Sequence, residues 1–438
     1  MAAWRHYSAH FILALVGWPA IGAAQVDSLA AVARARYREA VGAAQGGNWH
    51  QAHNSMKAAA EAWPTQVAYL IGVATAAAHL ADTAAVARWL TRVADLGLTT
   101  TLSDDSALAR VAAAPMLGSV RARLFTNGGS RPNSVAINTS LPADFYPEGV
   151  DYDPESNSFY LASVRKRTVV RIGRDGAVKP FLPPVSARLD AALAVRVDPK
   201  RDLVWVTTRG YPAMEGFLAG DQTKASVVVF NRHTGERLAS ALAPNDGESH
   251  WFGDLIIDRA GVAYLTDSES PVVFKAVYRS GQITLTAIVR HRYFRSLQGL
   301  AFDASERRLY LADYSHGLLQ LDLAQGTVRY LAPPPRSTLL GIDGMVRSGH
   351  SIYAVQNGVA PARVIRIDLD RAGPRVIAVS TVDRNLPVAD EPTLVTVAHG
   401  QLVYVANSQW EKYGDDGRVK PGAHLASPVL LSLPLRPE

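Results

Sequence analysis

The chain has 438 residues, of which 48% are hydrophobic and 19% are charged. This composition excludes a disordered chain, and the absence of cysteine excludes disulfides, thiolate metal ligands, iron–sulfur clusters and cysteine nucleophiles. The formal net charge of +6 comes from scattered arginines rather than from basic runs, so the charge predicts no nucleic-acid partner.

The first 24 residues have the pattern of a secretory signal peptide. Residues 1–10 contain one arginine and no acidic side chain, and the apolar run over residues 11–23 ends in small residues. A membrane anchor needs about 20 apolar residues, whereas this run is shorter and is interrupted by Pro19. The sequence therefore predicts cleavage near Ala24, export to the bacterial periplasm or the extracellular space, and no transmembrane span.

Residues 25–128 are predicted to form a small all-α domain, because alanine dominates them and strand-favouring runs are absent. Gly47, Trp49 and Pro64 stand where a tetratricopeptide repeat has its turn glycine, an aromatic side chain and its closing proline, and a weaker copy follows. This resemblance implies a groove for a protein partner. Two repeats form little concave surface, so a packing or spacer domain is an equal alternative.

A three-part unit then repeats six times. Each unit holds a short hydrophobic stretch that ends in a turn, an apolar strand with Tyr or Trp at its second position, and an alternating strand; the first five add an outer strand. The units begin at Glu148, Leu193, Gly253, Gln298, Asp343 and Glu391. Four short strands in about 45 residues are typical of a β-propeller blade. The sequence therefore predicts a mainly β fold, a six-bladed propeller over residues 134–438.

The sixth unit ends after its third strand, which leaves the ring one strand short. Residues 134–141 precede the first unit and have the length of a strand. Pairing of this segment with residues 428–435 would complete the last blade and remove an open sheet edge. The second unit carries an insertion over residues 209–224, in which Tyr211 is expected either to wall a pocket beside the channel or to pack locally.

The first residue of each unit is predicted to point at the central channel. Glu148, Asp343 and Glu391 then converge there, with Asp254 next to the third position. Converging carboxylates raise one another's pKa unless a cation neutralises them, and hard oxygen donors favour Ca²⁺ over Mg²⁺ or Mn²⁺. The alternative is that these side chains cap backbone amides around a water-filled channel without metal.

Several segments carry a family resemblance. They are Tyr146-Pro-Glu-Gly149, Phe252-Gly-Asp254, Ser296-Leu-Gln-Gly-Leu-Ala-Phe302, Leu309-Tyr-Leu-Ala-Asp-Tyr-Ser315 and Gly341-Ile-Asp-Gly344. They look like the calcium-dependent propellers of the senescence marker protein (regucalcin) and gluconolactonase family. More distantly, they resemble paraoxonases, strictosidine synthases and NHL-repeat propellers. The resemblance implies a divalent cation held by a first-blade Glu, an Asn and a later Asp; Glu148 and Asp343 match two of these, and Asp254 stands beside the position expected for Asn.

The resemblance also implies a hydrolase that opens a lactone or related ester, with the cation as Lewis acid. Asp254 or Glu391 is the expected general base, and His250 or His316 is an alternative proton carrier. The side chains expected to line the substrate are Gln298, Trp251 and Tyr211. Because propellers serve many roles, the second hypothesis is a non-catalytic binding or scaffold protein whose helical repeats hold a partner.

Overall fold

A computed structural model describes residues 23–182, 189–221, 224–371 and 374–435, with side chains from residue 28 onward. Residues 1–22 of the predicted signal peptide lie outside these ranges. Within them, no helix is long and apolar enough to cross a membrane. A helical unit is followed by six four-stranded sheets, which confirms the predicted fold class.

In the described chain, six α-helices precede the sheets. They are α1 (Ala23–Gln45), α2 (Trp49–Ala62), α3 (Val67–His79), α4 (Thr83–Asp95), α5 (Ser106–Ala112) and α6 (Gly118–Gly128). The side chains of Asn48, Asp82 and Asp105 each accept a hydrogen bond from a backbone N–H in the first turn of α2, α4 and α5, which satisfies donors that have no partner inside the helix. Leu70 of α3 and Leu90 of α4 are fully buried in the shared core.

Each sheet is one blade of four antiparallel strands. Strand β1 (Val135–Asn138) comes first in the chain but belongs to blade 6. Blade 1 contains β2 (Pro147–Asp153), β3 (Ser158–Ser163), β4 (Thr168–Gly173) and β5 (Val178–Pro180); blade 2 contains β6 (Ala191–Asp198), β7 (Leu203–Arg209), β8 (Ala225–Asn231) and β9 (Arg237–Leu242). Blade 3 contains β10 (Phe252–Ile257), β11 (Val262–Asp267), β12 (Val272–Arg279) and β13 (Gln282–Arg290).

The remaining blades follow the same order. Blade 4 contains β14 (Leu297–Phe302), β15 (Arg308–Asp313), β16 (Gly317–Asp322) and β17 (Val328–Tyr330). Blade 5 contains β18 (Ile342–Ser348), β19 (Ser351–Gln356), β20 (Arg363–Leu369) and β21 (Val376–Arg384). Blade 6 contains β22 (Val395–Ala398), β23 (Gln401–Val405) and β24 (Val429–Pro434), and β1 is its outer strand.

The ring is closed by strands from the two ends of the propeller sequence. Strand β1 pairs antiparallel with β24, with Val135 opposite Ser432 and Asn138 opposite Val429. The hydroxyl of Thr139 also donates to the carbonyl of Pro428 at 2.7 Å. Because β1 covers the outer edge of β24, blade 6 reaches four strands without a further segment of chain.

Glycines set the position of the first residues in the inner strands. A Cβ on Gly149 would lie 2.3 Å from the carbonyl oxygen of Leu193, and one on Gly344 would lie 2.7 Å from Cα of Leu394. The inner strands of adjacent blades therefore approach so closely that a side chain does not fit there. Each of these strands also has an irregular register at this point. The close approach and the bulge together aim the preceding residue, Glu148 or Asp343, at the channel.

The helical unit is docked on blades 4 and 5. The buried guanidinium of Arg363 donates to the carbonyls of Leu96 and Gly97 at 3.2 and 3.3 Å. These two residues form the turn that follows α4. The backbone N–H of Thr99 donates to the carbonyl of Ala360 at 2.8 Å. Leu340, which follows blade 4, is part of the helical core. These contacts hold the helical unit against the rim of the propeller.

Candidate active site at the propeller mouth

Three carboxylates from three blades form an acidic cluster at the start of the inner strands. Glu148 begins blade 1, Asp343 begins blade 5, and Glu391 precedes β22 of blade 6. Glu148 is 8% exposed, whereas Asp343 and Glu391 are half-buried. The first residues of the second and third units carry no charge, because Leu193 is a buried apolar residue and Gly253 has no side chain. We call Glu148, Asp343 and Glu391 the acidic cluster.

Burial and nearby negative charges raise the pKa of all three groups. Burial, with the charges of Asp343 and Glu391, raises the pKa of Glu148 to about 8. Burial also raises the pKa of Asp343 to about 7, and the charge of Asp254 adds to this shift. The pKa of Glu391 is raised to about 7 by burial and by nearby carboxylates. The acidic cluster therefore binds protons near neutral pH unless a cation stabilises its charged form.

Hydrogen-bond donors hold each carboxylate in place. Oε2 of Glu148 accepts from the Ser408 hydroxyl at 2.8 Å and from the Trp410 indole N–H at 2.7 Å. Oδ2 of Asp343 accepts from the Asn357 amide at 2.7 Å. Ser408 and Asn357 were not predicted as site residues. Asn357 lies one residue after the second strand of blade 5, and Ser408 lies three residues after the second strand of blade 6. A polar residue just after this strand is the signal that the sequence analysis missed.

Asp254 lies beside the acidic cluster but has a cationic partner. It is fully buried, and its Oδ1 accepts from the Arg196 guanidinium at 2.9 Å and from the backbone N–H of Leu255 at 2.8 Å. Oδ2 has no hydrogen-bond partner among the described residues. Burial raises the pKa of Asp254 to about 6, against the opposing charge of Arg196. The unpaired oxygen makes Asp254 a possible ligand, whereas its burial removes it from contact with a substrate.

The two predicted histidines have structural partners. Nδ1 of His250 lies 2.6 Å from Oδ2 of Asp267, and its Nε2 lies 3.1 Å from Oδ1 of Asp246. Burial opposes the charged form of His250, but these two carboxylates raise its pKa. His316 faces the helical unit, with Nε2 2.7 Å from a guanidinium nitrogen of Arg34. Neither ring therefore has a nitrogen available for a proton transfer at the acidic cluster.

The predicted aromatic side chains, Tyr211 and Trp251, come together with Trp410, whose indole N–H contacts Glu148. The ring centroids of Tyr211, Trp251 and Trp410 are 5.2 to 5.9 Å apart, with interplanar angles of 52 to 77°. They pack edge to face around a core that includes Met214 of the blade 2 insertion. Gln298 is half-buried in β14 of blade 4, and its Oε1 accepts from the Ser268 hydroxyl at 3.3 Å.

The oxygen donors of this site are of the type that Ca²⁺ prefers, and the unpaired Oδ2 of Asp254 fits a cation nearby. However, the described part of the chain contains no group of three or more His, Asp or Glu side chains arranged to hold a metal ion. Trp410 and Ser408 occupy one oxygen of Glu148, and Asn357 occupies one of Asp343. Because the three carboxylates are not arranged as a metal site, they would have to approach one another to hold a cation.

No family model and no curated protein matches the sequence. Among solved structures, the chain is similar to a gluconolactonase from Xanthomonas campestris, with 14% identity over 69% of this chain and 99% of that chain and a TM-score of 0.44. It is also similar to the calcium-binding protein regucalcin from Agrobacterium tumefaciens, with 13% identity over 68% and 90% of the two chains and a TM-score of 0.44. Virginiamycin B lyase from Staphylococcus aureus has 13% identity over 62% and 80% of the two chains, with a TM-score of 0.42.

Proposed function

We propose that the chain is an exported metal-dependent hydrolase that opens a lactone or a related ester at the propeller mouth. The observation that supports this most is the acidic cluster, in which Glu148, Asp343 and Glu391 have pKa values raised to between about 7 and about 8. General acid–base catalysis is most efficient with groups whose pKa lies near the working pH. Export rests on the signal-peptide pattern of the sequence.

Glu391 is the general base in this proposal. It is half-buried, so it can be reached by water, and its Oε2 is held at 2.6 Å by the backbone N–H of Glu411. The carboxylate takes a proton from water as the water oxygen bonds to the carbonyl carbon of the substrate. The ring C–O bond then breaks, and the same proton passes to the departing oxygen, which leaves Glu391 ionised again. Hydrolysis consumes one water and needs no further reactant.

Glu148 and Asp343 would hold a divalent cation, together with the unpaired Oδ2 of Asp254. Ca²⁺ is the first candidate because all of these donors are hard oxygens. When bound, the cation polarises the substrate carbonyl as a Lewis acid. The protein side chains orient the substrate, with Tyr211, Trp251 and Trp410 as an apolar wall and Gln298 as a polar contact on the channel wall.

A panel of lactones and simple esters tests this function. The purified chain is expected to hydrolyse at least one lactone, to lose that activity with a metal chelator, and to regain it with Ca²⁺. Glu391→Gln is expected to lower kcat by roughly 10² to 10⁴, the usual contribution of a general base. Glu61→Gln, on the exposed side of α2, is the matched control. Absence of chelator-sensitive turnover on every substrate would contradict the proposal.

The second candidate function is partner binding through the helical unit. An open hollow of about 510 Å³ lies beside α1 and α2, lined by polar side chains that include Arg36, Glu39 and Gln51. Such a surface suits a polar peptide rather than a small apolar ligand. If the purified protein neither binds a metal nor hydrolyses a lactone, this non-catalytic role is favoured.

A further inference from the structure

We propose that residues 406–428, the loop between β23 and β24, form a hinged cap that gates the acidic cluster. We call this segment the cap loop. It supplies three donors to the cluster: Ser408 and Trp410 bind Oε2 of Glu148, and the backbone N–H of Glu411 binds Oε2 of Glu391. The cap loop therefore occupies one carboxylate oxygen of Glu148 and one of Glu391.

The two ends of the cap loop are joined to each other. The Asn407 side chain accepts from the backbone N–H of Val429 at 2.8 Å and donates to the carbonyl of Ser427 at 2.9 Å. The Gln409 side chain bonds both the N–H and the carbonyl of Ala426, at 2.7 and 3.0 Å. Side-chain hydrogen bonds therefore close the base of the cap loop. The body of the loop can move as one piece about this base while β23 and β24 stay paired.

The outer part of the cap loop, residues 414–424, makes few contacts with the rest of the propeller, whereas the inner part is held more firmly, for example by the Gln409 amide, which donates to the carbonyl of Ala143 at 3.3 Å. The ring of Tyr413 stacks on Tyr146 with centroids 4.5 Å apart. Gly417 lies so close to the blade 2 insertion that a Cβ would be 2.1 Å from the carbonyl oxygen of Pro212. Nζ of Lys412 lies 2.7 Å from Oδ2 of Asp390. Beyond these, residues 418–422 are exposed to solvent. Segments with few buried contacts open at a lower free energy than the strands that carry them.

The closed position explains how Glu148 is shielded. With the cap loop in place, Glu148 is 8% exposed, whereas Asp343 and Glu391 are half-buried. The rings of Tyr211, Trp251 and Trp410 contact one another at this mouth, with centroids 5.2 to 5.9 Å apart. The inference takes from the proposed function only the point that ligands enter at this mouth. Entry then requires that the Trp410 contact with Glu148 be broken, as in enzymes with gating loops.

Thiol labelling measures this opening directly, because the chain contains no cysteine. Met214→Cys places a thiol in the core that the cap loop covers, where Met214 packs in the same cluster as Tyr413. Val228→Cys places one in a fully buried position of β8, which reports unfolding of the blade. Under native conditions, we expect the thiol at position 214 to react at least tenfold faster than the thiol at position 228.

Trp410→Phe removes the indole N–H but keeps an aromatic ring, and Trp251→Phe is the matched control on the neighbouring ring. Trp410→Phe is expected to accelerate labelling at position 214 about tenfold, the effect of losing one hydrogen bond, and to leave position 228 unchanged. Equal labelling rates at positions 214 and 228, or equal acceleration by both Trp substitutions, would overturn the proposal. Labelling requires neither turnover nor metal, so a failed gate is distinguishable from a failed hydrolase.

Discussion

The indole N–H of Trp410 donates to Oε2 of Glu148 across 2.7 Å and so joins the cap loop of blade 6 to the inner strand of blade 1. The two residues are 262 positions apart in the sequence. The bond stabilises the ionised form of this carboxylate, but burial still raises its pKa to about 8. Ring closure through β1 and β24 brings the two partners together, and the mouth of the channel therefore depends on closure of the whole propeller.

The stability of chelator-treated protein is expected to fall as the pH rises. The folded pKa values of Glu148 and Asp343 are raised to about 8 and about 7, above the ordinary values of 4.5 and 3.8. At pH values between the ordinary and the folded pKa of each group, the folded state holds a proton that the unfolded chain has released. The stabilisation is therefore complete below about pH 4 and is lost as the pH passes through 7 and 8.

Urea unfolding at pH 5 and pH 9 measures this loss. Glu148→Gln should remove part of the decrease in the free energy of unfolding, because Gln carries no ionisable group. Glu61→Gln, on the exposed side of α2, should leave it unchanged. Identical pH dependence in the wild-type protein and Glu148→Gln would contradict the assignment of a buried, proton-binding Glu148.

The buried pair of Arg196 and Asp254 is expected to be sensitive to loss of one partner. Arg196→Gln leaves Asp254 as an uncompensated buried carboxylate and should lower the free energy of unfolding by about 3 kcal/mol. Adding Asp254→Asn should restore part of that loss. The solvent-exposed pair of Arg375 and Asp370 is the control, for which Arg375→Gln should cost less than about 1 kcal/mol. If Arg196→Gln costs no more than the control, the pair does not stabilise the channel.

Docking of the helical unit is expected to depend on Arg363. Burial lowers the pKa of this guanidinium to about 10, and it donates to the carbonyls of Leu96 and Gly97 and to Oε1 of Gln356. Arg363→Met removes these donors and should lower the free energy of unfolding by about 2 kcal/mol.

Limited proteolysis measures how firmly the helical unit is docked on the propeller. Arg363→Met should make residues 127–134, between the two units, more susceptible to cleavage. Arg366→Met is the control, because Arg366 pairs with Asp368 inside blade 5. Equal cleavage rates in the two variants would show that Arg363 does not fasten the helical unit.

The fold was predictable because its signals are local and repeated. A unit of about 45 residues recurs six times, and each copy carries its own turn and its own Tyr or Trp strand. The same repetition underlies the expectation that the first residue of each unit points at the channel, which stays a prediction. In the structure, Glu148 and Asp343 lie on inner strands, whereas Glu391 precedes β22, and the charges of Asp343 and Glu391 raise the pKa of Glu148.

Pairings between distant residues were not predictable. Asp254 is neutralised by Arg196, which lies 58 positions earlier in another blade. His316 is turned toward the helical unit by Arg34, 282 positions away. His250 is held by Asp267 from the adjacent strand of its own blade. A single sequence shows which side chains are ionisable, but their partners follow from the packing of blades on one another and on the helices.

Titration of chelator-treated protein with Ca²⁺ in a calorimeter tests the central claim most directly. The proposed hydrolase should bind one cation per chain, and both Glu148→Gln and Asp343→Asn should abolish the heat of binding while retaining the fold. Glu61→Gln should bind as the wild-type protein does. Absence of binding by the wild-type protein, or binding that both variants retain, would contradict a metal site at the propeller mouth.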